Sequence, residues 1–493
     1  MNFIKNHYTF LLILIFASAL LSANLKKPFI GHHDWNGVWY ANIARNFLRY
    51  GPLETKFGSV LNYDQASPSQ FVYATHYPPA FPLILTLSFS IFGVHEWSAR
   101  LVPFLASLAT IYMIYFVGIY FFDKKTAILA AALTPVLPIV NYFSKIPVHE
   151  TVILPFVLLS TFLYFKFLKE ENLKNFLQLV ASLIISHLIH WSGYFVTPLF
   201  FISYLVFSKS KKRLKVAAVF PLLSILMLTA HLLHVYWLTG SPLGGGLGDI
   251  FLDRLNITDK PQDYSTINFI NQRVHLIVAY FTKPLLALTL VSIFWLITKV
   301  RRGIFDQKVQ FLFMLGVFGL AYNILFRNAA FFHDYTIIYA LPFLVISAAY
   351  GFVIISKFTK SDKSQILLPL TFLLIVLILR EGRDFTRALA RTDSFKEGVS
   401  LGKIINERTQ SGDKILVLSE DFKRYYEVFA AFYADRKIAY QMPQPEELEN
   451  PSFTKQYKLI IAIPSRDTPL QVIDILNSSY QPNIISEFLI YEN

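Results

Sequence analysis

The chain has 493 residues, 54% of them hydrophobic and 16% charged, and a mean hydropathy of +0.45. This is too apolar for a soluble protein and fits a polytopic helical membrane protein, and the absence of cysteine excludes disulfides, thiolate catalysis and thiolate metal sites. The chain's net charge of +13 divides into +16 in the first 380 residues and −3 in residues 381–493, which carry 14 basic against 17 acidic groups, so a basic membrane part precedes an almost neutral tail; no basic–aromatic pattern for nucleic acid accompanies it.

Met1 to Ala23 combines Lys5, an apolar run and small residues, and reads as an uncleaved first helix rather than a signal peptide, because many spans follow. Runs able to cross a core of roughly 30 Å lie near 8–23, 99–122, 126–143, 150–168, 174–190, 193–208, 214–237, 275–298, 309–326, 335–356 and 365–380. The run Pro79 to Val94 sets the parity of everything after it. If it does not cross, Lys5 and the clusters at Lys124, Lys166, Lys209, Lys299 and Lys357 place 18 basic residues on one face. The positive-inside rule then puts that face in the cytoplasm and makes Pro79–Val94 a re-entrant or juxtamembrane segment. The reading is eleven spans, with the N-terminus inside and the C-terminus outside.

The first outer loop, 24–98, follows the first span. Asp34 stands about ten residues past that span, at the water–lipid boundary, where a carboxylate is costly to desolvate and reads as functional. Trp39, Ile43 and Phe47 recur every fourth residue, as do Tyr40, Ala44 and Leu48. They predict an amphipathic helix ended by Gly51-Pro52. Arg45 and Arg49 lie on this helix, at headgroup level, for snorkelling or for phosphate contact. His76-Tyr77-Pro78-Pro79 and Glu96-Trp97-Ser98-Ala99-Arg100-Leu101 complete the loop.

Farther on, Ser144-Lys145-Ile146-Pro147-Val148-His149-Glu150 forms the second outer loop. His187 with His190, and His231 with His234, are spaced for a metal or simply end helices. The loop 238–274 holds Gly244-Gly245-Gly246 and Asp249, Asp253, Asp259 and Asp263, acids read as solvated or as ligands of a divalent ion. Lys283 lies within the outer end of the eighth span, and Arg327 and His333 lie in a loop before the tenth. The tail alternates helix (395–408, 422–433, 470–476) with strand (415–418, 437–441, 458–463, 485–491), which predicts a small α/β domain.

Tyr40, Ile43, Ala44 and Arg45, the closing Gly51, the His76-x-Pro78-Pro79 type stretch, and Phe92, Gly93, Glu96, Ala99, Arg100 and Leu101 stand in an order that resembles the GT-C glycosyltransferases. The likeness is to the protein O-mannosyltransferase and aminoarabinose transferase-like group, and it covers about the first 170 residues. The resemblance implies an all-α polytopic GT-C membrane domain, 1–380, with an extracytoplasmic α/β accessory domain, 381–493. It implies an inverting enzyme that moves a sugar from a polyprenyl-phosphate donor to a hydroxyl on a protein, lipid or glycan at the outer face of the cell membrane. Asp34 matches the family's first-loop acid, with Trp35 where many members have a second acid. Glu150 takes the place of an Asp more common in the group.

The expected catalytic groups are therefore Asp34 and Glu150. Arg45, His76, Tyr77, Lys145, His149, Lys283, Arg327 and His333 are expected to bind substrate. Such chemistry needs a base near the attacking oxygen and cations around the leaving phosphate. No cofactor is required by the sequence, a divalent cation is a candidate, and its ligands are unknown. The expected partners are the lipid-linked sugar, membrane lipid and an unidentified acceptor. The alternative is a transporter or flippase of lipid-linked glycans. Transporters carry internal repeats and mid-membrane charges, and neither is visible here.

Overall fold

The computed structural model describes residues 2–63, 66–257, 264–358 and 364–493. Asp259, Asp263, Lys360 and Lys363 lie outside them. In chain order the helices are α1 (Asn2–Leu21), α2 (Asp34–Tyr50), α3 (Ala80–Phe92), α4 (Glu96–Phe121), α5 (Lys124–Leu133), α6 (Pro138–Phe143), α7 (His149–Lys169), α8 (Leu173–Ile189), α9 (Val196–Phe207), α10 (Arg213–Thr239), α11 (Leu247–Leu255), α12 (Thr266–Phe281), α13 (Lys283–Arg301), α14 (Gln307–Leu325), α15 (Arg327–Phe332), α16 (Leu341–Phe358) and α17 (Ser364–Arg391). The remainder contains α18 (Lys396–Arg408), α19 (Glu420–Ala434), α20 (Pro445–Glu449), α21 (Pro451–Thr454) and α22 (Leu470–Ser479).

The chain forms two compact units. One holds Met1–Leu25, Ala74–Ile84 and Arg100–Ala390; the other holds Lys26–Tyr73, Leu85–Ala99 and Arg391–Asn493. Most of the first outer loop thus groups with the tail, a division that differs from a single cut at residue 380.

Among the described residues, six helical segments are long and apolar enough to cross a membrane: Glu96–Phe121, His149–Lys169, Arg213–Thr239, Lys283–Arg301, Gln307–Leu325 and Asp334–Lys357. His7–Leu21, Leu173–Ile189 and Trp191–Phe207 are shorter apolar helices. α3 is also apolar, but its 13 residues reach only about 20 Å, short of a hydrocarbon core.

Two expected spans are built differently from their hydropathy. Pro135 and Pro138 divide 126–143 into α5, a 3-10 turn and α6, because proline has no N–H for the helical ladder. The run 275–298 is cut at Thr282, whose φ is 65°, so α12 ends at Phe281 and α13 starts at Lys283 with Pro284 in its first turn.

α13 and α16 pack through small residues. A Cβ on Gly351 would come within 2.2 Å of the Leu288 carbonyl oxygen, the close backbone approach that small residues permit between membrane helices. Gly351→Ala is expected to destabilise the fold by about 1–3 kcal/mol, read as a lower unfolding midpoint in detergent.

After the two short strands β1 (Ser59–Val60) and β2 (Tyr73–Ala74), the strands β3 (Lys414–Leu418), β4 (Lys437–Tyr440), β5 (Leu459–Ala462), β6 (Asn483–Ile485) and β7 (Phe488–Glu492) of the second unit make one sheet in the order β4-β3-β5-β7-β6. β4-β3-β5 is parallel and β5-β7-β6 antiparallel. The segment 485–491, expected as one strand, folds into the β6–β7 hairpin because the chain reverses at Ser486, φ 55°. α18 and α19 cover one face through Leu401, Ile405, Phe422 and Tyr426, and α22 covers the other through Val472, Ile473 and Leu476.

α2 belongs to this unit. Gly51, at φ 83°, closes it as the spacing predicts. Arg45 is not at headgroup level. It is 7% exposed and donates to the carbonyls of Ala431 and Phe432, both at 3.1 Å. Its guanidinium also lies 3.1 Å from Asp435, and Asn42 donates to the Val428 carbonyl at 2.9 Å. Arg45 therefore satisfies the open carbonyls at the C-terminus of α19, where a cation also suits the helix dipole. Its two terminal nitrogens are engaged within the protein, while its buried Nε has no hydrogen-bond partner among the described residues.

Candidate active site

Glu150 is the second residue of α7 and is buried at 3% exposure. His190 caps the far end of α8, and its Nε2 lies 3.6 Å from the Glu150 carboxylate. The ring's other nitrogen fixes its tautomer. Nδ1 accepts the Ser192 backbone N–H at 3.0 Å, with the Ser192 and Tyr339 hydroxyls at 2.9 and 3.2 Å. An Nδ1 crowded by donors is the unprotonated nitrogen, so in the neutral ring Nε2 carries the proton. That Nε2 is buried and has no hydrogen-bond partner among the described residues. The gap to Glu150 is too long for a hydrogen bond and suits an oxygen placed between them.

Aromatic rings enclose these two groups. Tyr77 lies 4.4 Å from the His149 ring and 5.0 Å from that of His190, centroid to centroid. Phe81 lies 4.4 Å from His149, and Tyr322 lies 5.7 Å from His190 and 5.0 Å from Tyr339. The cation of the cluster is Arg254, its guanidinium carbon 4.8 Å over the Tyr77 ring.

The Gly244-Gly245-Gly246 turn places Arg254. Gly245 and Gly246 have φ of 62° and 85°, and Gly246 opens α11, near whose end Arg254 stands. Only glycine takes two such positions cheaply. The Thr75 hydroxyl donates to the Gly244 carbonyl at 2.5 Å, His231 Nε2 donates to the Thr75 carbonyl at 3.0 Å, and Trp191 Nε1–H donates to the His76 carbonyl at 2.5 Å. These bonds fasten His76-Tyr77 to the glycine turn. His231 serves this anchor, while His187 bonds Ser224 at 3.0 Å, so His187 and His190 point to different partners and do not chelate together.

Burial first, then Arg254 and His231, pulls His76 down to about 3. It is neutral at physiological pH. A base whose pKa is depressed by folding stabilises the protein above its unfolded value near 6.5, and that stability is lost as pH falls towards 3. Melting temperatures measured from pH 7 to pH 4 should fall, and His76→Gln should shallow the fall.

α11 has a second role. Leu247, Phe251 and Leu252 join Trp191, Phe195, Leu228 and Phe326 around a cavity of about 490 Å³ with almost no polar lining. Trp191 follows His190, Phe326 is one turn beyond Tyr322, and Leu252 precedes Arg254 by two residues. The greasy cavity adjoins the cluster at Tyr322, whose ring lies 6.1 Å from Phe195 and 5.0 Å from Phe326.

The other expected residues lie elsewhere. Lys145 is buried, donates to the Asn141 carbonyl, and is lowered to about 7 by burial and by Arg100. At neutral pH it is therefore a partial cation at best. Lys283 is the exposed first residue of α13, and its backbone N–H bonds Glu381 at 3.1 Å. It stands at the mouth of the span, not within it. Arg327 donates to the Thr266 hydroxyl at 3.0 Å and stacks over Phe269 at 5.3 Å. The His333 ring pairs with Tyr335 at 5.2 Å. Asp253 holds α15 by accepting from Asn328 at 3.1 Å, so it is a structural acid.

Asp34 belongs to the second unit. It is 2% exposed, begins α2, and accepts the Gly31 N–H at 2.7 Å. A carboxylate in the first turn also complements the helix dipole. His33, at φ 60°, turns the chain sharply into it.

Residues 76–237 match the family described as dolichyl-phosphate-mannose-protein mannosyltransferase. No curated protein matches the sequence. The crystal structure of ArnT from Cupriavidus metallidurans in the apo state is 14% identical, covers 98% of this chain and 97% of its own, and superposes with a TM-score of 0.62. ArnT bound to undecaprenyl phosphate gives 12%, 98% and 98%, with a TM-score of 0.66. The archaeal oligosaccharyltransferase AglB from Archaeoglobus fulgidus, in complex with an inhibitory peptide and a dolichol-phosphate, is 13% identical over 93% of this chain and 70% of its own, with a TM-score of 0.52. The fold is that of the GT-C glycosyltransferases. Within it, the family match spans His76, Tyr77, His149, Glu150 and His190, while Asp34, Arg254, Tyr322 and Tyr339 fall outside the matched segment.

Proposed function

We propose that this GT-C protein is an inverting glycosyltransferase that takes one sugar from a polyprenyl-phosphate donor and places it on a hydroxyl acceptor at the outer face of the cell membrane. The observation that carries the reading is an apolar cavity adjoining, through Tyr322, a polar, arginine-bearing cluster. Such a pair fits an amphipathic ligand, with the prenyl chain against Leu247, Phe251 and Trp191 and the phosphate against Arg254. Arg254 presents a planar fork of donors matched to phosphate oxygens. The undecaprenyl phosphate on ArnT and the dolichol-phosphate on AglB support the same ligand class.

In the step itself the acceptor hydroxyl attacks the anomeric carbon from the face opposite the phosphate. The new glycosidic bond forms as the bond from that carbon to the phosphate oxygen breaks, and polyprenyl phosphate leaves with the electron pair. The hydroxyl proton passes to a carboxylate, a role we propose for Asp34, the acid of the first loop. A sugar hydroxyl donates to Glu150 and accepts from His190 Nε2–H, and Arg254 meets the charge that develops on the leaving group. Arg254 also makes this cluster a poorer place for a divalent cation than for an anion.

Orientation follows from the charge pattern. With the ends bearing Lys124, Lys166, Lys174, Lys211, Arg301 and Lys357 towards the cytoplasm, His149 and His190 lie at the opposite ends of α7 and α8, and Arg254 lies on α11, which follows the opposite end of α10. The test is incubation of the purified protein with a panel of polyprenyl-phosphate sugars and hydroxyl acceptors. Wild type should release free polyprenyl phosphate in step with product, and Asp34→Asn and Arg254→Ala should not. Uptake of the lipid-linked sugar across vesicles without any release would mean transport instead.

A further inference from the structure

In the second unit, α19, β4 and the first-loop residues Leu61, Tyr63 and Val72 surround a cavity of about 540 Å³, the size of a small-molecule site. Lys423, Glu427 and Ala431 are spaced four apart on α19, so one helix face lines it. Ile438 and Tyr440, two apart on β4, share one side of the sheet. β4 is an edge strand, bonded only to β3.

Part of the polar lining is already engaged. Arg436 donates to Thr409 and to the carbonyls of Ala434 and Asp435. The Asn62 amide bonds Gln70 and Val72. The Tyr440 hydroxyl is different: it is buried and has no hydrogen-bond partner among the described residues. A buried donor of this kind calls for an explanation, and a partner brought by a ligand supplies one.

The charges select that ligand. Glu427 opposes an anion, and Lys423 with Arg436 opposes a cation. Glu427 offers several lone pairs, while Lys423 and Tyr440 offer protons. The rings of Tyr63 and Tyr440, with Leu61, Val72 and Ile438, offer apolar faces. A neutral pyranose matches this mixture. Its hydroxyls both donate and accept, and its C–H face lies flat on an aromatic ring. We propose that this cavity is a saccharide-binding pocket for one uncharged pyranose unit, built wholly by the second unit and independent of the Glu150–Arg254 cluster.

The test uses the full chain in a detergent without a sugar head group. It is titrated with methyl α-mannopyranoside, methyl β-glucopyranoside and methyl β-galactopyranoside, with binding read by saturation-transfer NMR. At least one should bind with a millimolar dissociation constant. Glu427→Gln should weaken it about tenfold. Val72→Trp plugs the mouth from a position that is 57% exposed, removes no polar group, and should abolish binding. Tyr440→Phe should weaken binding yet raise the melting temperature of the free protein, because the orphaned hydroxyl is gone. Arg254→Ala should leave it unchanged, which separates this pocket from the donor site. Failure of all three glycosides to bind, or wild-type binding by Val72→Trp, overturns the proposal, and Val72→Trp decides the matter even if Glu427→Gln does not fold.

Discussion

Replacing Arg254 by alanine should lower sugar transfer by about 10²–10³-fold, the usual cost of removing one donor aimed at a developing oxyanion. The prediction rests on its position over Tyr77 in the buried cluster with Glu150 and His190. Leaving-group charge accumulates in the transition state, so kcat should fall more than the donor's KM rises. Arg254→Lys should recover part of the rate, because lysine keeps the charge but loses the planar fork. The measurement is release of polyprenyl phosphate against donor concentration for the three proteins. A rate within threefold of wild type for the alanine variant would sink the assignment.

Asp34→Asn should cost about 10²–10⁴-fold in kcat, the range for loss of a general base. The amide oxygen can still accept the Gly31 N–H that the carboxylate accepts now. The fold should therefore persist, with a melting temperature close to wild type and little change in affinity for a non-transferable prenyl phosphate. The acid limb of the pH–rate profile should vanish, because asparagine has no proton to lose. Asp34→Ala should be worse on both counts, since it also leaves that N–H unpaired in a buried turn. Equal kcat in Asp34→Asn and wild type would exclude the carboxylate as base.

Much of the membrane unit was legible because hydropathy and helix length are governed by one solvent. Gly51 closed α2 where the spacing put it, and α3 stayed too short to cross. Legibility failed where one backbone angle outweighs hydropathy: Thr282 divides an apolar run without altering its composition. In the candidate site, Glu150, His149 and Tyr77, read from the order of short motifs, lie together in the structure. Arg254 was not, since the acids around it drew the eye; the available signal was a lone arginine behind three glycines on a face otherwise poor in cations. Tyr322 and Tyr339 read as two more aromatics among 27 tyrosines. The burial of Arg45 was not legible because its partners, carbonyls of Ala431 and Phe432, lie more than 380 residues away and leave no trace in local spacing.

That distant tie has a consequence for biosynthesis. Asn42 and Arg45 of α2 hold the end of α19, and the Phe29 N–H is held by the Tyr433 hydroxyl at 2.9 Å. Chains emerge from the ribosome N-terminus first, so in the proposed orientation the segment carrying Asp34 is translocated early and must wait, without its final partners, until every later span has been inserted and the last hundred residues have followed. A ribosome stalled before Glu420 would leave a nascent protein whose membrane helices are in place but whose base has no rigid seat. Protease protection of the 26–73 stretch in such arrested chains should arrive late and abruptly, with the emergence of α19.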